Sequence, residues 1–484
     1  MPIKTGKQYV DNLDRARPSV WINGEKVNGK ISDHIAFKGL ISTQAAMYDM
    51  QWKGEYCEQM TYVSPTSGDP VGLSFLQPRS KEELIRRRIM MSLWAETHHG
   101  FLGRAPDYMN TALMAFSSAS EFLSEQDPRY AENMRNYYIY CRENDITLSH
   151  AFVQPHIGRF STFMQTLEEP VAARVIEKSE DGIVVSGAFL LATQGVTAEE
   201  ILVFPPPLPS LSEEENPYAF IFAVPNNLPG IKFICRENFV IGSSRYNYPL
   251  SSQFEEMDTL VIFDRVLIPH NRVFLYGDDH MVNQFLEESC FHTQVTHQIL
   301  CRTIAKTEFL LGTIEYIVKV LRLNTYAHII EKVSEVIAVL ETMKSLLLAA
   351  EDKAVTDSRG TVIPDPDIMF TANFIYPRVY PRIIEILQLI GASGLIMLPS
   401  EKDFYAEISE DINKYLRASD MDAKNKGALF RLAWEMSANS FGGRQALYER
   451  FFFGDAARVA GRLYNGYSKR DRNIDKVKKF LSST

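Results

Sequence analysis

The sequence has no apolar run of the length that a membrane helix needs. Of its 484 residues, 45% are hydrophobic, but nowhere do about 18 apolar residues follow one another. The first residues, MPIKTGKQYVDNLDRARPSVW, lack the apolar stretch of a secretory signal peptide. Cysteine is scarce, with five residues and no CxxC pair, which favours reduced thiols over a disulfide framework or a zinc site. We therefore expect a cytoplasmic protein.

Positive charge is not in excess either. The chain carries 51 lysine and arginine residues against 60 aspartate and glutamate residues, a formal net charge of −9. The basic residues form no stripe along the sequence. Nucleic acids and anionic membrane surfaces are therefore not expected as partners.

Several nucleotide-binding and catalytic signatures are also missing. The chain has no GxGxxG after a strand, no GxxxxGK[ST], no HExxH and no GxSxG. The sequence therefore gives no evidence for a Rossmann domain, a P-loop, a zincin or an α/β-hydrolase. His98 and His99 are adjacent, but neighbouring residues of a helix point about 100° apart, so they make a poor metal site. We predict no bound metal.

The pattern of apolar residues divides the chain into three regions. Residues 1–148 are mostly helical, as in KEELIRRRIMMSLWAETHHGFL. Residues 149–280 contain short β-branched or aromatic runs such as GIVVSGAFLLATQG and IKFICRE, which predict an antiparallel sheet or barrel. Residues 281–484 return to long helices with apolar stripes, typical of an antiparallel bundle.

The stretch GRAPDYM places unusual residues ahead of an apolar helical run. Pro106 and Asp107 suit the first turn of a helix that starts near Ala105, because proline needs no partner there and the helix dipole favours an acid. The free N–H groups of that turn favour a negative charge. Arg104 adds a permanent cation, and Tyr108 adds a hydrogen-bond donor. The alternative is a surface Arg–Asp pair, with the tyrosine in the core.

A second polar cluster lies where the helical texture changes to β. SHAFVQPHIGR crowds His150, Gln154, His156 and Arg159 into a short stretch. Each alone is more often structural, but together they suggest a site for an anion or a heterocycle.

A third stretch, SFGGRQALYERFF, lies late in the chain. Gly442 and Gly443 permit close backbone approach, and Arg444 offers a charge to a phosphate. The alternative is a pair of glycines that ends a helix.

GRAPDYM, SHAFVQPHIGR, LLATQG and FGGRQALYE together resemble, in order and approximate spacing, the 4-hydroxyphenylacetate 3-monooxygenase family. This family is the oxygenase component of two-component flavin enzymes, and the likeness covers nearly the whole chain. It implies an acyl-CoA dehydrogenase-like fold, α+β and mostly α. The expected parts are an N-terminal helical domain, a middle antiparallel β domain and a C-terminal four-helix bundle. It also implies a homotetramer, arranged as a dimer of dimers.

The resemblance implies an enzyme of aromatic hydrocarbon catabolism. FAD, used as FADH2, is expected to react with O2 as co-substrate to a flavin C4a-hydroperoxide. One oxygen then passes to the carbon ortho to the hydroxyl of 4-hydroxyphenylacetate or a related 4-substituted phenol, which gives a catechol. Because the chain offers no nicotinamide site, we expect a separate reductase to supply the flavin by diffusion.

The resemblance also assigns residues to the site. Arg104, Tyr108 and His150 are expected to hold the phenolic oxygen as catalytic groups, and Ala105, Pro106 and Asp107 are expected to complete the substrate site. The expected flavin contacts are His156, Ile157, Gly158, Arg159, Thr193, Ser440, Phe441, Gly442, Gly443 and Arg444. GASG (391–394) resembles the flavin-diphosphate loop of the wider superfamily but has alanine at 392.

Two features define the chemical hypothesis. A phenol has a pKa near 10, and a cation in a desolvated pocket lowers such a value by roughly 1–3 units, so Arg104 would act as a phenolate clamp. The proline-rich, acidic segment PPPLPSLSEEENP (205–217) is either a solvated loop or a lid that keeps water from the oxygenated flavin.

Three alternatives remain at the level of the sequence. A 4-hydroxybutyryl-CoA dehydratase-like flavoenzyme needs three cysteines and a histidine for an iron–sulfur cluster, and Arg104 and Tyr108 stand where the first two cysteines are expected. An acyl-CoA dehydrogenase-like enzyme needs a carboxylate base, for which Glu449 is the candidate. A non-catalytic helical scaffold leaves the polar clusters without a role.

Overall fold

The computed structural model describes residues 2–155, 171–208 and 215–483. The chain divides into two compact units, of which the first comprises Met1–Ala305 with Ser358–Thr361 and the second Lys306–Asp357 with Val362–Thr484. The three-domain division at 148 and 280 remains a prediction.

The first unit begins with helices and short strands. Its N-terminal helices are α1 Gly6–Ala16, α2 Ile35–Met50, α3 Cys57–Met60, α4 Lys81–Thr97, α5 Pro106–Ser118 and α6 Pro128–Asn144. The strands among them are β1 Val20–Ile22, β2 Glu25–Lys26, β3 Thr61–Val63 and β4 Pro70–Gly72. Three short 3-10 helices connect these elements: Ile31–Asp33, Leu73–Phe75 and Ser120–Glu125.

Several of these helices begin at side chains that accept hydrogen bonds from the first turn. The hydroxyl of Thr5 accepts from the Gln8 N–H in a capping box, and the hydroxyl of Ser80 accepts from the Glu83 N–H. Asp127 accepts from the backbone of α6, directly before the proline at its first position. These caps satisfy N–H groups that lack a partner within the helix.

Two sheets follow in the same unit. Their remaining strands are β5 Leu148–Ala151, β6 Arg174–Lys178, β7 Gly182–Thr193, β8 Glu200–Val203, β9 Asn216–Pro225, β10 Ile231–Cys235, β11 Asp258–Pro269 and β12 Val273–Gly277. The strand order is β2-β1-β10-β11-β7-β6 in one sheet and β12-β9-β8-β5 in the other. The short helices Ser251–Phe254 (α7) and Asp279–Glu288 (α8) and the 3-10 turn His270–Arg272 complete the unit.

The pairing is mostly antiparallel, as predicted, with two exceptions. β1 pairs with β10 in parallel, and β5 pairs with β8 in parallel. β1 and β2 lie early in the chain, where the sequence texture is helical, and yet they extend the six-stranded sheet. Strands of two and three residues carry too little periodicity to be found in the sequence.

The sheets and the N-terminal helices share one apolar core. Phe189, Phe220 and Phe263 from the strands are buried together, with Phe189 edge-on to both of the others. Tyr9 of α1 and Phe37 of α2 belong to the same cluster. This core holds the end of β7 and the helices of the N-terminal region in one fixed arrangement.

The second unit consists of helices and one small hairpin. α9 Phe291–Val320 begins in the first unit and ends in the second. The other elements are α10 Ala327–Asp352, α11 Pro366–Gly391, α12 Ser409–Tyr415, α13 Ala423–Ser437, α14 Ser440–Phe451, α15 Ala456–Gly466 and α16 Arg470–Ser482, with the hairpin Val355–Thr356 (β13) and Val362–Ile363 (β14) and the 3-10 helices Ala392–Leu395 and Glu401–Tyr405. α11 packs against α10, α13, α14 and α15.

The long helical stretches of the sequence are broken at particular residues. The stretch from 284 to 321, which has almost no glycine or proline, is two helices, because Cys290 adopts a φ of 51° between them. The region that begins with GALFRLAWEMS ends at Ser437, and α14 starts anew three residues later. α11 ends at Gly391. No helix in the described ranges combines the length and apolarity that crossing a bilayer requires.

Candidate active site

The helix that starts with GRAPDYM begins where the sequence predicts. Ala105 is the N-cap residue of α5, Pro106 is its first residue and Asp107 its second. The whole first turn is buried, and Tyr108 is 3% exposed. The surface alternative is therefore wrong, because neither the arginine nor the acid of this stretch reaches solvent.

Arg104 lies directly over the aromatic ring of Tyr108. Its central guanidinium carbon is 4.0 Å from the ring centroid, which is the distance of a close cation–π contact. The Arg104 side chain is buried with the helix start. A cation in this surrounding attracts a negative oxygen more strongly than one in water.

His150 lies on β5, next to Tyr108. The two rings have centroids 5.8 Å apart, and the imidazole stacks on Phe152 at 5.0 Å. Burial, with the nearby charge of Arg104 adding to it, holds the pKa of His150 well below its ordinary value near 6.5. The ring is therefore neutral at neutral pH. Its Nδ1 atom has no hydrogen-bond partner within the part of the chain that the structure describes.

Asp107 is a buried acid beside these groups. Burial raises the pKa of Asp107 to about 6, against a hydrogen bond from Gln298 and the N–H groups of its own helix turn. Gln298 Nε2 donates to Asp107 Oδ2 at 3.1 Å. The carboxyl thus competes with any other anion for the positive end of α5.

Glu256 is a residue of this site that the sequence reasoning missed. Its carboxylate accepts from the N–H groups of Gly103 and Arg104 at 2.9 and 2.7 Å. Glu256 is fully buried. The signal in the sequence is the acidic run EEMD directly before the apolar strand TLVIF, an unusual place for charge.

Thr193, a predicted flavin contact, lies at the end of β7 beside β5. Ser149 Oγ donates to the Thr193 carbonyl oxygen at 2.7 Å. The Thr193 hydroxyl donates to Asp258 Oδ1, also at 2.7 Å. The end of β7 therefore lies against β5 on the side of Ser149, and the His150 side chain points to the other side of the strand.

Gln154 lies just beyond β5 and faces the same region. Val153 pairs with Leu191 in an isolated bridge, which places this segment along the end of β7. Gln154 is 2% exposed, yet neither polar atom of its amide has a hydrogen-bond partner in the described ranges. A buried amide without a protein partner is the arrangement that a ligand with donors and acceptors on one edge would satisfy.

Ser440, Phe441, Gly442, Gly443 and Arg444 form the first turn and a half of α14 in the second unit. The Asn439 side chain accepts from the Gly442 N–H at 3.0 Å, so this glycine pair starts a helix and does not end one. A Cβ on Gly442 would lie 2.7 Å from the Glu435 carbonyl oxygen, whereas one on Gly443 would meet nothing within 4 Å. Gly442 is therefore required for close packing of α14 against the end of α13, whereas the space next to Gly443 is open.

Ala392 stands where the flavin-diphosphate loop of the wider superfamily has a glycine, and its backbone has a conformation typical of glycine. It adopts a φ of 44° at the end of α11, a conformation that favours glycine. Gly394, two residues later, is required by packing, because a Cβ there would lie 2.5 Å from the Phe430 ring.

The structure brings together Arg104, Tyr108 and His150 within the first unit, and Thr193 lies at the end of β7, bonded to Ser149 and Asp258. His156, Ile157, Gly158 and Arg159 lie outside the described residues, as does 209–214 of the predicted lid. Within the described ranges, no group of three or more His, Cys, Asp and Glu side chains is placed to hold a metal ion. Glu449, the candidate base of a dehydrogenase, is fully buried in an ion pair with Lys306.

Two family models match almost the entire chain. The one described as 4-hydroxyphenylacetate 3-hydroxylase N terminal matches residues 5–275, and the one described as 4-hydroxyphenylacetate 3-hydroxylase C terminal matches residues 282–482. Together with the fold, they define the class of the protein. The chain belongs to the 4-hydroxyphenylacetate 3-hydroxylase family, as the sequence motifs predicted.

Curated relatives support the same assignment. The chain is 42% identical over 481 residues to a probable 4-hydroxyphenylacetate 3-monooxygenase of Bacillus subtilis (strain 168), covering 99% of both chains. It is 40% identical to the 4-hydroxyphenylacetate 3-monooxygenase oxygenase component of Thermus thermophilus, covering 99% of this chain and 98% of the relative.

Solved structures confirm the predicted fold class. A crystal structure of the oxygenase component of 4-hydroxyphenylacetate 3-monooxygenase, complexed with FAD and 4-hydroxyphenylacetate, matches with a TM-score of 0.94 at 40% identity, covering 99% of this chain and 98% of that one. An archaeal 4-hydroxybutyryl-CoA dehydratase matches with a TM-score of 0.88 at 20% identity, covering 99% and 95%. The second likeness concerns the fold alone.

Proposed function

We propose that this chain is the oxygenase component of a two-component system that hydroxylates a 4-substituted phenol ortho to its hydroxyl, which gives a catechol. The prediction of an FAD-dependent aromatic monooxygenase is confirmed by relatives of 40–43% identity along nearly the whole chain and by similar crystal structures that are complexed with FAD. 4-Hydroxyphenylacetate is the first candidate substrate. The observation that carries the proposal is the buried group of Arg104, Tyr108 and His150.

These three side chains suit a phenol that must lose its proton. Arg104 favours the phenolate by roughly 1–3 pKa units in a desolvated site, and each unit corresponds to about 1.4 kcal/mol. His150 is neutral, so its Nδ1, which has no hydrogen-bond partner among the described residues, can accept a hydrogen bond from the phenolic hydroxyl. Tyr108 donates or accepts a hydrogen bond at the same oxygen. Phenolate formation raises the electron density at the ortho carbon, where the oxygen is added.

The residues near Thr193 fit a flavin. The buried Gln154 amide offers a donor and an acceptor that have no hydrogen-bond partner among the described residues, as the polar edge of an isoalloxazine ring requires. Thr193 and the predicted contacts His156–Arg159 and Ser440–Arg444 would hold the rest of the cofactor. Bound reduced FAD supplies the electrons that activate O2. The protein residues orient the phenol and exclude water, which otherwise diverts the oxidant to H2O2.

A separate reductase is implied by the names of the relatives, which are called oxygenase components. We propose that reduced FAD reaches this chain by diffusion. We also propose a homotetramer, arranged as a dimer of dimers, and a cytoplasmic location. The 205–217 segment is proposed as a lid: if shortening it leaves the ratio of catechol to H2O2 unchanged, the lid has no such role.

The decisive experiment uses the purified chain with chemically reduced FAD and no reductase. It is mixed with ¹⁸O2 and 4-hydroxyphenylacetate, with 4-nitrophenol as a second phenol. We expect a catechol that carries one ¹⁸O atom, detected by mass, and little H2O2. If oxygen consumption yields only H2O2 with a wide panel of phenols, the proposed activity is refuted.

A further inference from the structure

One buried carboxylate holds the loop in front of α5. Gly103 N–H donates to Glu256 Oε2 at 2.9 Å, and Arg104 N–H donates to Oε1 at 2.7 Å. Since Glu256 is fully buried, water does not compete for these bonds. A carboxylate that receives two adjacent backbone donors restricts both the position and the direction of the loop.

Glu256 is itself anchored from the opposite side. Gln194 Nε2 donates to Glu256 Oε1 at 2.9 Å, and the Gln194 side-chain oxygen accepts from Gln44. The Tyr9 hydroxyl donates to Gln44 in turn. All of these side chains are buried, so a continuous hydrogen-bonded chain runs from α1 to the backbone of Arg104.

Asp258, two residues after Glu256, holds Thr193 by a hydrogen bond. Asp258 lies opposite Thr193 in the pairing of β11 with β7, and its Oδ1 accepts a hydrogen bond from the Thr193 hydroxyl at 2.7 Å. The other carboxylate oxygen of Asp258 accepts from Arg236 Nε at 3.0 Å. Glu256 lies two residues before Asp258, the first residue of β11, so one short segment of the chain carries both acids.

We propose that Glu256 and Asp258 are a pair of positioning residues that sets the phenol site and the flavin site at a fixed separation. Glu256 places Arg104, and Asp258 places Thr193. The inference rests on the proposed function, in which Arg104 contacts the phenol and Thr193 contacts the flavin. Oxygen transfer between two bound molecules requires such fixed geometry, because a misplacement of about 1 Å can cost about a hundredfold in rate.

Two substitutions of Glu256 separate positioning from charge. Glu256→Gln keeps the length of the side chain, but turns a donor toward one of the two N–H groups. Glu256→Asp keeps the charge, but shortens the reach by one methylene. If Glu256 positions the loop, both variants impair phenol binding. If it only contributes charge, Glu256→Asp behaves as wild type, which would overturn the proposal.

The readouts are steady-state constants and the product ratio. For both Glu256 variants we expect the KM for 4-hydroxyphenylacetate to rise about tenfold, because this is the effect of losing one hydrogen bond to a charged group. More H2O2 should form per catechol, while the dissociation constant of reduced FAD stays within about twofold. For Asp258→Asn we expect the reverse, with flavin affinity about tenfold weaker and the phenol KM within about twofold at saturating flavin.

Glu200→Gln is the matched control. Glu200 is also a buried glutamate, but its carboxylate accepts from the Tyr137 hydroxyl at 2.9 Å and pairs with Arg272, and the proposal gives neither of these residues a role. We expect wild-type values for the phenol KM and for the flavin. Equal effects of the Glu200 and Glu256 variants, or equal effects of the Glu256 and Asp258 variants on both ligands, would overturn the proposal.

Amide hydrogen exchange on the wild-type protein tests the anchor without any variant. The Gly103 and Arg104 amides should exchange slowly, although they belong to a loop, and fast exchange would overturn the proposal even where a variant does not fold. Slow exchange in a protein that hydroxylates no phenol would refute the proposed function and leave the anchor intact.

Discussion

The guanidinium of Arg104 lies over the ring of Tyr108, with its central carbon 4.0 Å from the ring centroid. A cation–π contact at this distance holds the guanidinium over the aromatic ring. Lysine has neither a planar head nor a fork of donors. The pairing thus selects arginine at 104 for its geometry as well as for its charge.

Replacing Arg104 by lysine should weaken phenol binding. We expect the KM for 4-hydroxyphenylacetate to rise about tenfold and the bound phenol to be less ionised, since one pKa unit corresponds to about a tenfold change. 4-Nitrophenol, whose phenolate absorbs visible light, reports the ionisation directly. Arg129→Lys is the control, because that side chain is 75% exposed. Unchanged ionisation of the bound phenol in the Arg104 variant would contradict the clamp.

His150 should make the stability of the protein depend on pH below about 6.5. Burial lowers the pKa of His150 in the folded state, so its contribution is complete above the unfolded value. As the pH falls below that value, only the unfolded chain gains the proton, and stability is lost by up to about 1.4 kcal/mol per pH unit.

His150→Gln should remove this loss. The measurement is the urea midpoint at pH 7.5 and 5.5, with the exposed His328→Gln as control. We expect the His150→Gln variant to lose less stability than wild type between the two pH values. An identical loss in both proteins would show that the imidazole titrates normally.

Asp107 should show the opposite sign, because burial raises its pKa to about 6. The folded state holds the proton more tightly than the unfolded chain, so stability decreases as the pH rises from about 4 to 6 and stays reduced above. The shift of roughly two units corresponds to about 3 kcal/mol. Asp107→Asn should therefore gain stability relative to wild type across this window.

The check for Asp107 is the difference in urea unfolding free energy between variant and wild type at pH 4.5 and 7.5. Asp264→Asn is the control, since Asp264 lies on the surface with 59% of its side chain exposed. A difference that does not change with pH would mean that the Asp107 carboxyl is not perturbed by burial.

The two glycines of α14 should respond differently to alanine. Gly442→Ala places a Cβ 2.7 Å from the Glu435 carbonyl oxygen, so we expect a loss of roughly 1–3 kcal/mol from overpacking. Gly443→Ala meets nothing within 4 Å and should keep or raise the melting temperature, because alanine favours the helix.

Gly443→Ala also tests the predicted flavin contact. If a phosphate approaches the backbone at this position, the dissociation constant of FAD rises while the melting temperature does not fall. If this stable variant binds FAD with wild-type affinity, Gly443 does not contact the flavin.

Much of the site can be read from local sequence. The start of α5 follows from Pro106 and Asp107, whose preferences act within one helical turn. The strands from GIVVSGAFLLAT and TLVIFDRVLIP follow from β-branched and aromatic runs. The family follows from four separate motifs. In each case the information lies within about ten neighbouring residues.

Other features depend on contacts between residues far apart in the chain. Glu256 reaches Gly103 and Arg104 across about 150 residues, and no local pattern assigns a partner to a buried acid. The neutral state of His150 depends on burial under elements that the sequence does not place. β1 and β2 are too short to show a period, and only the sheet that they join defines them.

The start of α5, the longer strands and the residue types at the site follow from neighbours along the chain, so they can be read from the sequence alone. Which side chains meet, and in what charge state, depends on the packing of distant segments, because hydrogen-bond partners and desolvation are set by what surrounds each group.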